Sequence, residues 1–192
     1  MEDAFQSRAF IPDDTDTDDA AIAEAAKTDA HAFGDLYERY YPRVYRYVYH
    51  RLGNVTEAED VTAVVFMKAL EGLPGYRPRR TGFAPWLFRI ARNAVVDHYR
   101  RVRRAEPLDG NEHYTVGDDP VADFLRGERT DELNRLVSLL SGDQRDVVLL
   151  RFAADLSYGE IAATVGKNEP AVRMLLHRAL RKLRTVIDDA RI

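Results

Sequence analysis

The sequence contains no cysteine. That excludes a disulfide framework, thiolate catalysis and any zinc site built on cysteine. No apolar run approaches the roughly 18 residues a membrane span requires, so no membrane insertion is expected. The segment Met1–Asp19 is acidic and lacks the basic-then-apolar order of a secretory signal. The expectation is a soluble chain of the cytoplasm. β-type alternation of useful length is missing, as is any repeat of fixed period, which sets aside sheet folds and solenoids. Catalytic signatures are missing as well. There is no phosphate-cradling glycine loop and no Gly-x-Ser-x-Gly elbow. His31, His50, His98, His113 and His177 have no metal-ligand spacing, and the acid pairs Asp118/Asp119 and Asp188/Asp189 fall in linker and tail. No catalytic residue, metal site or cofactor is therefore expected, and the chain does not read as an enzyme.

What is present is charge of alternating sign and helical periodicity. The 192 residues carry a net charge of −4, with 45% hydrophobic side chains, enough to bury a core. The net figure conceals a pattern. Residues 1–29 hold nine acids and two bases, and residues 105–132 the same. Between them, residues 77–104 hold nine arginines and a single acid, Asp97, and after them residues 133–192 hold ten bases and seven acids. Two basic surfaces flanked and joined by acidic segments suit a nucleic-acid partner.

Residues 1–17 are poor in apolar side chains and read as disordered, with a short helix starting near Asp18–Ala26. Phe33, Leu36, Tyr37 and Tyr40 form one helical stripe, which Pro42 is expected to break. A second helix then carries Val44, Tyr45, Val48, Tyr49 and Leu52, stopped by Gly53-Asn54. Thr56 and Glu59 have capping-box spacing, which predicts a helix over Glu57–Glu71 with Val61, Val64, Val65 and Leu70 inward. Pro85 suits the first turn of a helix running to about Arg104, with Trp86, Leu87, Ile90, Ala91, Ala94 and Val95 inward. The stretch Ala105–Asp119, with its prolines and glycines, reads as a linker. Pro120–Leu140 reads as one helix. Ser141 with Gln144, and Ser157 with Glu160, cap two more, the first carrying Val147, Val148, Leu149, Leu150 and Phe152. Asn168 caps the last helix, Glu169 to about Asp188. The fold class is all-α: two small helical domains joined by an acidic linker. The divisions fall at 1–29, 30–104, 105–131 and 132–192.

The run Tyr158–Leu175 fits a helix-turn-helix. Ala162 is the small residue where the helices cross, and Gly166 can take the positive φ of the turn. Ile161, Val165, Val172 and Leu175 bind the pair together. The second helix would then offer Asn168, Glu169, Ala171, Arg173, Met174, His177 and Arg178 to a major groove. Lys167, Arg178, Arg181 and Lys182 would reach phosphates. The other basic stretch, Tyr76–Trp86, mixes arginines with aromatics and feeds a helix ending in Tyr99-Arg-Arg-Val-Arg-Arg. Arginines hold a phosphate chain while aromatic faces stack on unpaired bases, which suits melting DNA better than intact duplex.

Two such motifs in this order resemble the bacterial sigma factors of the extracytoplasmic-function group, which keep only the second and fourth sigma domains. Phe33–Arg101 looks like the second domain, through Leu36-Tyr37, Tyr40-Tyr41-Pro42, Ala58-Glu59-Asp60-Val61-Thr62, Val65-Phe66, Trp86-Leu87 and Ile90-Ala91-Arg92-Asn93 with Asp97. Leu133–Leu183 looks like the fourth, through Leu156–Ala162 and Val172 with Leu176-His177-Arg178-Ala179. Ala63 and Val64 depart from the polar residues usual after Thr62, and Met174 and Leu175 from the small and basic ones usual after Arg173.

The resemblance implies a promoter-specificity subunit of RNA polymerase. Glu59, Asp60, Thr62, Phe66 and Lys68 would bind the β′ clamp helices of core polymerase. Arg77, Arg79, Arg80, Phe83, Trp86, Arg89, Arg92, Asn93, Arg100 and Arg101 would recognise and melt the −10 element, with Asn93 reading a flipped base. Lys167, Asn168, Glu169, Ala171, Arg173, Met174, His177, Arg178 and Arg181 would read the −35 duplex, in a domain that also touches the β flap. The linker would thread the channel later used by RNA, and an anti-sigma factor would restrain the whole. Two competing readings are a stand-alone helix-turn-helix regulator on a palindromic operator and a helical adaptor without DNA. Both leave the Arg77–Arg104 surface unexplained.

Overall fold

The computed structural model of the protein describes residues 15–78, 81–105 and 132–189. Helix α1 spans Thr15–Ala25, α2 Ala30–Leu52, α3 Val55–Gly72 and α4 Ala84–Ala105, with a 3-10 turn at Leu73–Gly75. Residues 132–138 form α5. Helices α6 (Gly142–Phe152), α7 (Tyr158–Val165) and α8 (Glu169–Asp189) complete the described chain. Among the described residues there is no strand. The linker over 106–131 and the first half of the helix expected over Pro120–Leu140 lie outside the described residues.

Asp29 caps α2 by accepting a hydrogen bond from the His31 N–H at 2.9 Å, and Gly53 ends it, its N–H donating to Tyr49 O. The break expected at Pro42 does not occur, because α2 runs through it. Pro42 lies on the exposed face, so its ring displaces no packing. Buried Leu36, Tyr40, Val44, Tyr47 and Val48 continue one stripe on both sides of it. Their burial offsets the roughly 3 kcal/mol that an interior proline costs a helix.

The cap of α3 also differs from expectation. Asn54, rather than Thr56, accepts from the Glu57 N–H at 2.9 Å. Asparagine ranks above threonine as an N-cap, and it directly follows the glycine that ends α2. The helix so placed turns Ala58, Val61, Thr62, Val65, Phe66 and Ala69 inward and leaves Leu70 in solvent, contrary to the inward position expected for it. In α1, Thr15–Thr17 are helical, not disordered as expected. Ala23 and Ala26 pack into the core, and buried Asp19 pairs with Arg39 and accepts from the Tyr40 hydroxyl. Burial first, then the Asp19 acceptor, push the Tyr40 phenol far above its ordinary range.

The second domain follows the local signals more closely. Capping boxes at Ser141/Gln144 and Ser157/Glu160 open α6 and α7, and Asn168 Oδ1 accepts from the Ala171 N–H at 2.9 Å at the start of α8. Leu149, Leu150, Leu156, Ile161, Val172, Leu176 and Ala179 fill the core. Phe152, at the end of α6, is exposed. The two domains touch, with α4 packed against α7 and α2 against α6.

Candidate nucleic-acid interface

The first basic face is built on a ring cluster. Tyr76, Phe83 and Trp86 lie 5.1–5.6 Å apart between ring centroids, and Phe83 also meets Tyr40 at 5.4 Å, edge to face. Phe83 is 1% exposed. The expectation that it stacks on unpaired bases is thereby corrected, since its faces are already covered by Tyr40, Tyr76 and Trp86. Trp86 is half-buried, its indole resting against the backbone of Gly72. Beside it opens a cleft of about 220 Å³, lined by Gly75, Tyr76, Arg77, Thr81, Gly82, Pro85, Trp86 and Arg89. That is below the roughly 300 Å³ at which pockets for drug-sized ligands begin, and suits a single planar ring. Along α4, Arg89, Asn93, Arg100 and Arg101 are exposed, and Arg92 is half-buried. Arg79 and Arg80 lie outside the described residues.

The second face is the helix-turn-helix. Gly166 has φ 70° and its N–H donates to Ala162 O, which ends α7 and aims α8. Ala162, Ile161 and Val172 are buried at the crossing, with Val165 and Leu175 half-buried. Leu176 and Ala179 complete this seam, which the sequence reading had not included. Lys167, Asn168, Glu169, Arg173, Met174, His177, Arg178 and Arg181 are all exposed, and Ala171 is half-buried. Arg173 is oriented from two sides. Its guanidinium carbon lies 4.0 Å from the Tyr158 ring centroid, and Nη2 lies 3.6 Å from Glu169. Lys167 pairs with Asp143 at 3.1 Å.

The third face is α3. Glu59, Asp60 and Lys68 are exposed, Lys68 3.4 Å from Asp97. Thr62 is 0% exposed and Phe66 packs under Tyr37 and Tyr41, so neither is presented to a partner as expected. The helical period places both on the inner side, with Ala58 and Val65. In their place the surface offers Tyr37, Met67 and Leu70, Met67 being 62% exposed. Apolar side chains left outside the inner stripe of an amphipathic helix were the available signal for them.

Residues 36–105 match the family described as Sigma-70 region 2, and residues 130–183 match Sigma-70, region 4. The ECF RNA polymerase sigma factor BldN of Streptomyces coelicolor is 38% identical over 187 residues, covering 92% of this chain and 70% of its own. SigD of Mycobacterium tuberculosis is 34% identical over 178 residues, covering 88% and 83%. The chain belongs to the extracytoplasmic-function sigma factors. Among solved structures, that of CnrH with the cytosolic domain of CnrY has the same fold at TM-score 0.69 and 24% identity, covering 89% of this chain and 97% of that one. As a member of this family the protein is a regulatory initiation factor that directs RNA polymerase to promoters.

One group in this sigma factor escaped the sequence reading. Asp146, on α6, is buried between the domains. Tyr47 donates its hydroxyl to Asp146 Oδ1 at 3.0 Å, and Arg92 Nε donates to Oδ2 at 2.7 Å. Arg51 Nη1 lies 3.1 Å from Oδ1. Burial above all, then the Asp146 charge, push the Tyr47 phenol well above its ordinary range. The hydrogen bond to Asp146 holds Arg92 still more firmly protonated. The signal available was a carboxylate directly before the apolar run Val147–Leu150, where a helix turns inward. Among the described residues no cluster of metal-ligating side chains occurs, and no helix is long and apolar enough to cross a membrane.

Proposed function

We propose that the two basic faces read the two promoter elements. In this reading residues 30–104 form the unit that binds core polymerase and melts the −10 element, 132–192 reads the −35 duplex, and 105–131 connects them. The observation that carries it is the arginine-rimmed aromatic cleft beside α4, in the same chain as a helix-turn-helix. Duplex reading alone needs only the second of these. An unstacked base needs a slot with an aromatic wall, and the cleft supplies one in half-buried Trp86. Exposed Asn93 can give both a donor and an acceptor to a base edge. Arg77, Arg89, Arg100 and Arg101 hold phosphates beside it. Arg173 and His177 read base edges from α8, with Arg178 and Arg181 on the backbone. Glu59, Asp60 and Lys68, around Met67 and Leu70, form the contact with the β′ clamp helices, and the second domain meets the β flap.

The factor acts by binding alone, without a catalytic residue, in the cytoplasm. An anti-sigma factor is its expected restraint. The structural neighbour RpoE of Bartonella quintana was solved with the anti-sigma factor NepR, and CnrH with the cytosolic domain of CnrY. The test is transcription with core polymerase on a genomic fragment pool, joined to permanganate footprinting. Discrete start sites that depend on the factor are expected. Asn93→Ala should keep −35 binding and lose permanganate reactivity of −10 thymines. Normal opening by Asn93→Ala would reduce the α4 face to solvated charge.

A further inference from the structure

We infer that Tyr158 and Glu169 set base specificity at the −35 element by acting through Arg173. Tyr158 holds the guanidinium where it meets a base edge, and Glu169 keeps it from the phosphate chain. The inference deepens the proposed assignment of Arg173 to base edges and rests on it. Both are positioning residues, and Tyr158 stands outside the recognition helix, on α7. Its ring is a fixed platform. The capping box of Ser157 and Glu160 opens α7 at Tyr158, whose side chain is half-buried against the core of the second domain. Arg151 Cζ lies 5.4 Å from the ring centroid, and Arg151 Nη1 donates to Leu156 O at 2.8 Å, which ties the ring to the loop before α7. Arg173 Cζ lies over the same ring at 4.0 Å. A cation on an aromatic face spends none of its N–H groups, because these lie in the guanidinium plane. The contact with Glu169, at 3.6 Å, is an ion pair too long for a hydrogen bond. Neither contact uses a donor, so the fork stays open to the N7 and O6 acceptors of a guanine.

The Glu169 carboxylate is seated by a missing side chain. A Cβ at Gly159 would stand 3.2 Å from Glu169 Oε1, tighter than ordinary contact, so the glycine lets the carboxylate rest against the first turn of α7. The positive end of that helix favours a negative charge there. The same charge repels a phosphate. To reach the backbone, Arg173 must leave both its ring and its carboxylate, whereas a base edge asks it to leave neither. An arginine free of such partners binds any sequence through phosphate, and one held in this way gains only where its base is present.

The test uses the full chain with core polymerase and a promoter duplex from the genomic pool, randomised across its −35 element, with the bound fraction sequenced. A duplex with a scrambled −35 element gives the affinity that owes nothing to base reading. Arg173→Ala should lose a guanine preference and so mark its base pair. Tyr158→Leu should lower the preference at that same pair about fivefold and leave binding of the scrambled duplex unchanged. Tyr158→Phe keeps the ring face and should restore the preference. In the Arg173→Ala background Tyr158→Leu should change nothing further at that pair. A residue that only supported the fold would weaken every sequence in both backgrounds. Glu169→Gln should tighten binding of the scrambled duplex about threefold, steepen its salt slope by about one and blunt the guanine preference. An unchanged preference in Tyr158→Leu, or an equal loss in Tyr158→Phe, would overturn the role of the ring. Weaker binding of the scrambled duplex by Glu169→Gln would overturn that of the carboxylate. A guanine preference that survives Arg173→Ala strikes down the base-reading assignment itself, and the positioning falls with it.

Discussion

The two domains solve the problem of a small helical core with different side chains. The first buries rings: Tyr40, Tyr47, Phe83 and Phe88 are all fully enclosed, meeting edge to face as in Tyr40–Phe83 and Tyr47–Phe88. The second buries aliphatic side chains, Leu149, Leu150, Leu156, Ile161, Val172 and Leu176. A tyrosine ring brings a hydroxyl into the core, and that hydroxyl must be satisfied. In the first domain two of the hydroxyls reach outward, Tyr40 to Asp19 in α1 and Tyr47 to Asp146 in the second domain, while Tyr99 donates to Arg51 O across α4 and α2 within the domain. Packing and external attachment are thus carried by the same rings. The second domain has no such coupling among its buried apolar residues, and its architecture is set by caps and turns along its own chain. One domain is held by its neighbours as well as by itself, the other by local rules.

The comparison breaks hardest at Phe83. If the ring is core, Phe83→Ala removes a fully enclosed aromatic and should cost about 3–5 kcal/mol, read as a lower urea midpoint of the first domain. Leu156→Ala should cost about 2–5 kcal/mol in the second. A loss below about 0.5 kcal/mol for Phe83→Ala is the behaviour of a surface residue and would return the ring to the DNA face. Trp86→Ala serves as the internal reference, since a half-exposed ring loses less burial.

This difference between domains also explains what could be read in advance. The all-α fold, the capping boxes at Ser141 and Ser157, the turn at Gly166 and the exposed row from Lys167 to Arg181 were legible, because each depends on residues a few positions apart. Phe83, Thr62 and Phe66 were placed on the wrong side because an aromatic or a threonine is compatible with either side, and only the packing of α2 and α3 decides. Pro42 misled for a related reason: a proline rule is local, while the stripe that overrides it spans the whole of α2. Asp146 was invisible because its partners, Tyr47, Arg51 and Arg92, come from the other domain and lie 54 to 99 residues away where hydrogen bonds join them.

The next test is at the tip of the second domain. Arg173 is held over Tyr158 and beside Glu169, so its guanidinium is aimed before DNA arrives. Arg173→Ala should lose roughly 1–3 kcal/mol of discrimination at one or two base pairs. Arg181→Ala, on the flank of α8, should weaken all sequences alike and lower the salt slope by about one. Binding of both variants to a panel of altered −35 duplexes decides this. Equal behaviour would mean that α8 is not read through its aimed arginine.

The smallest expected effects give the cleanest contrast, since the same atoms are added in each domain. Gly34 lies inside α2 and Gly166 ends α7, and neither has an atom within 4 Å of where a Cβ would stand. Steric contact is therefore removed as a variable, and only the backbone differs. Gly34 is in a helix interior, where alanine is preferred by roughly 0.5–1 kcal/mol, so Gly34→Ala should stabilise the first domain. Gly166 sits at φ 70°, where a Cβ costs roughly 1–2 kcal/mol against the following carbonyl. The smaller entropy of the unfolded alanine chain returns about 0.4–1 kcal/mol of that. Gly166→Ala should then destabilise the second domain by somewhat under 1 kcal/mol in urea unfolding. The two substitutions should have opposite signs. Two stabilisations would mean that the turn adjusts its φ without penalty and that α8 is aimed by the Ala162, Ile161 and Val172 seam alone. In that case the second domain would be held by packing, as the first is, and not by its own local rules.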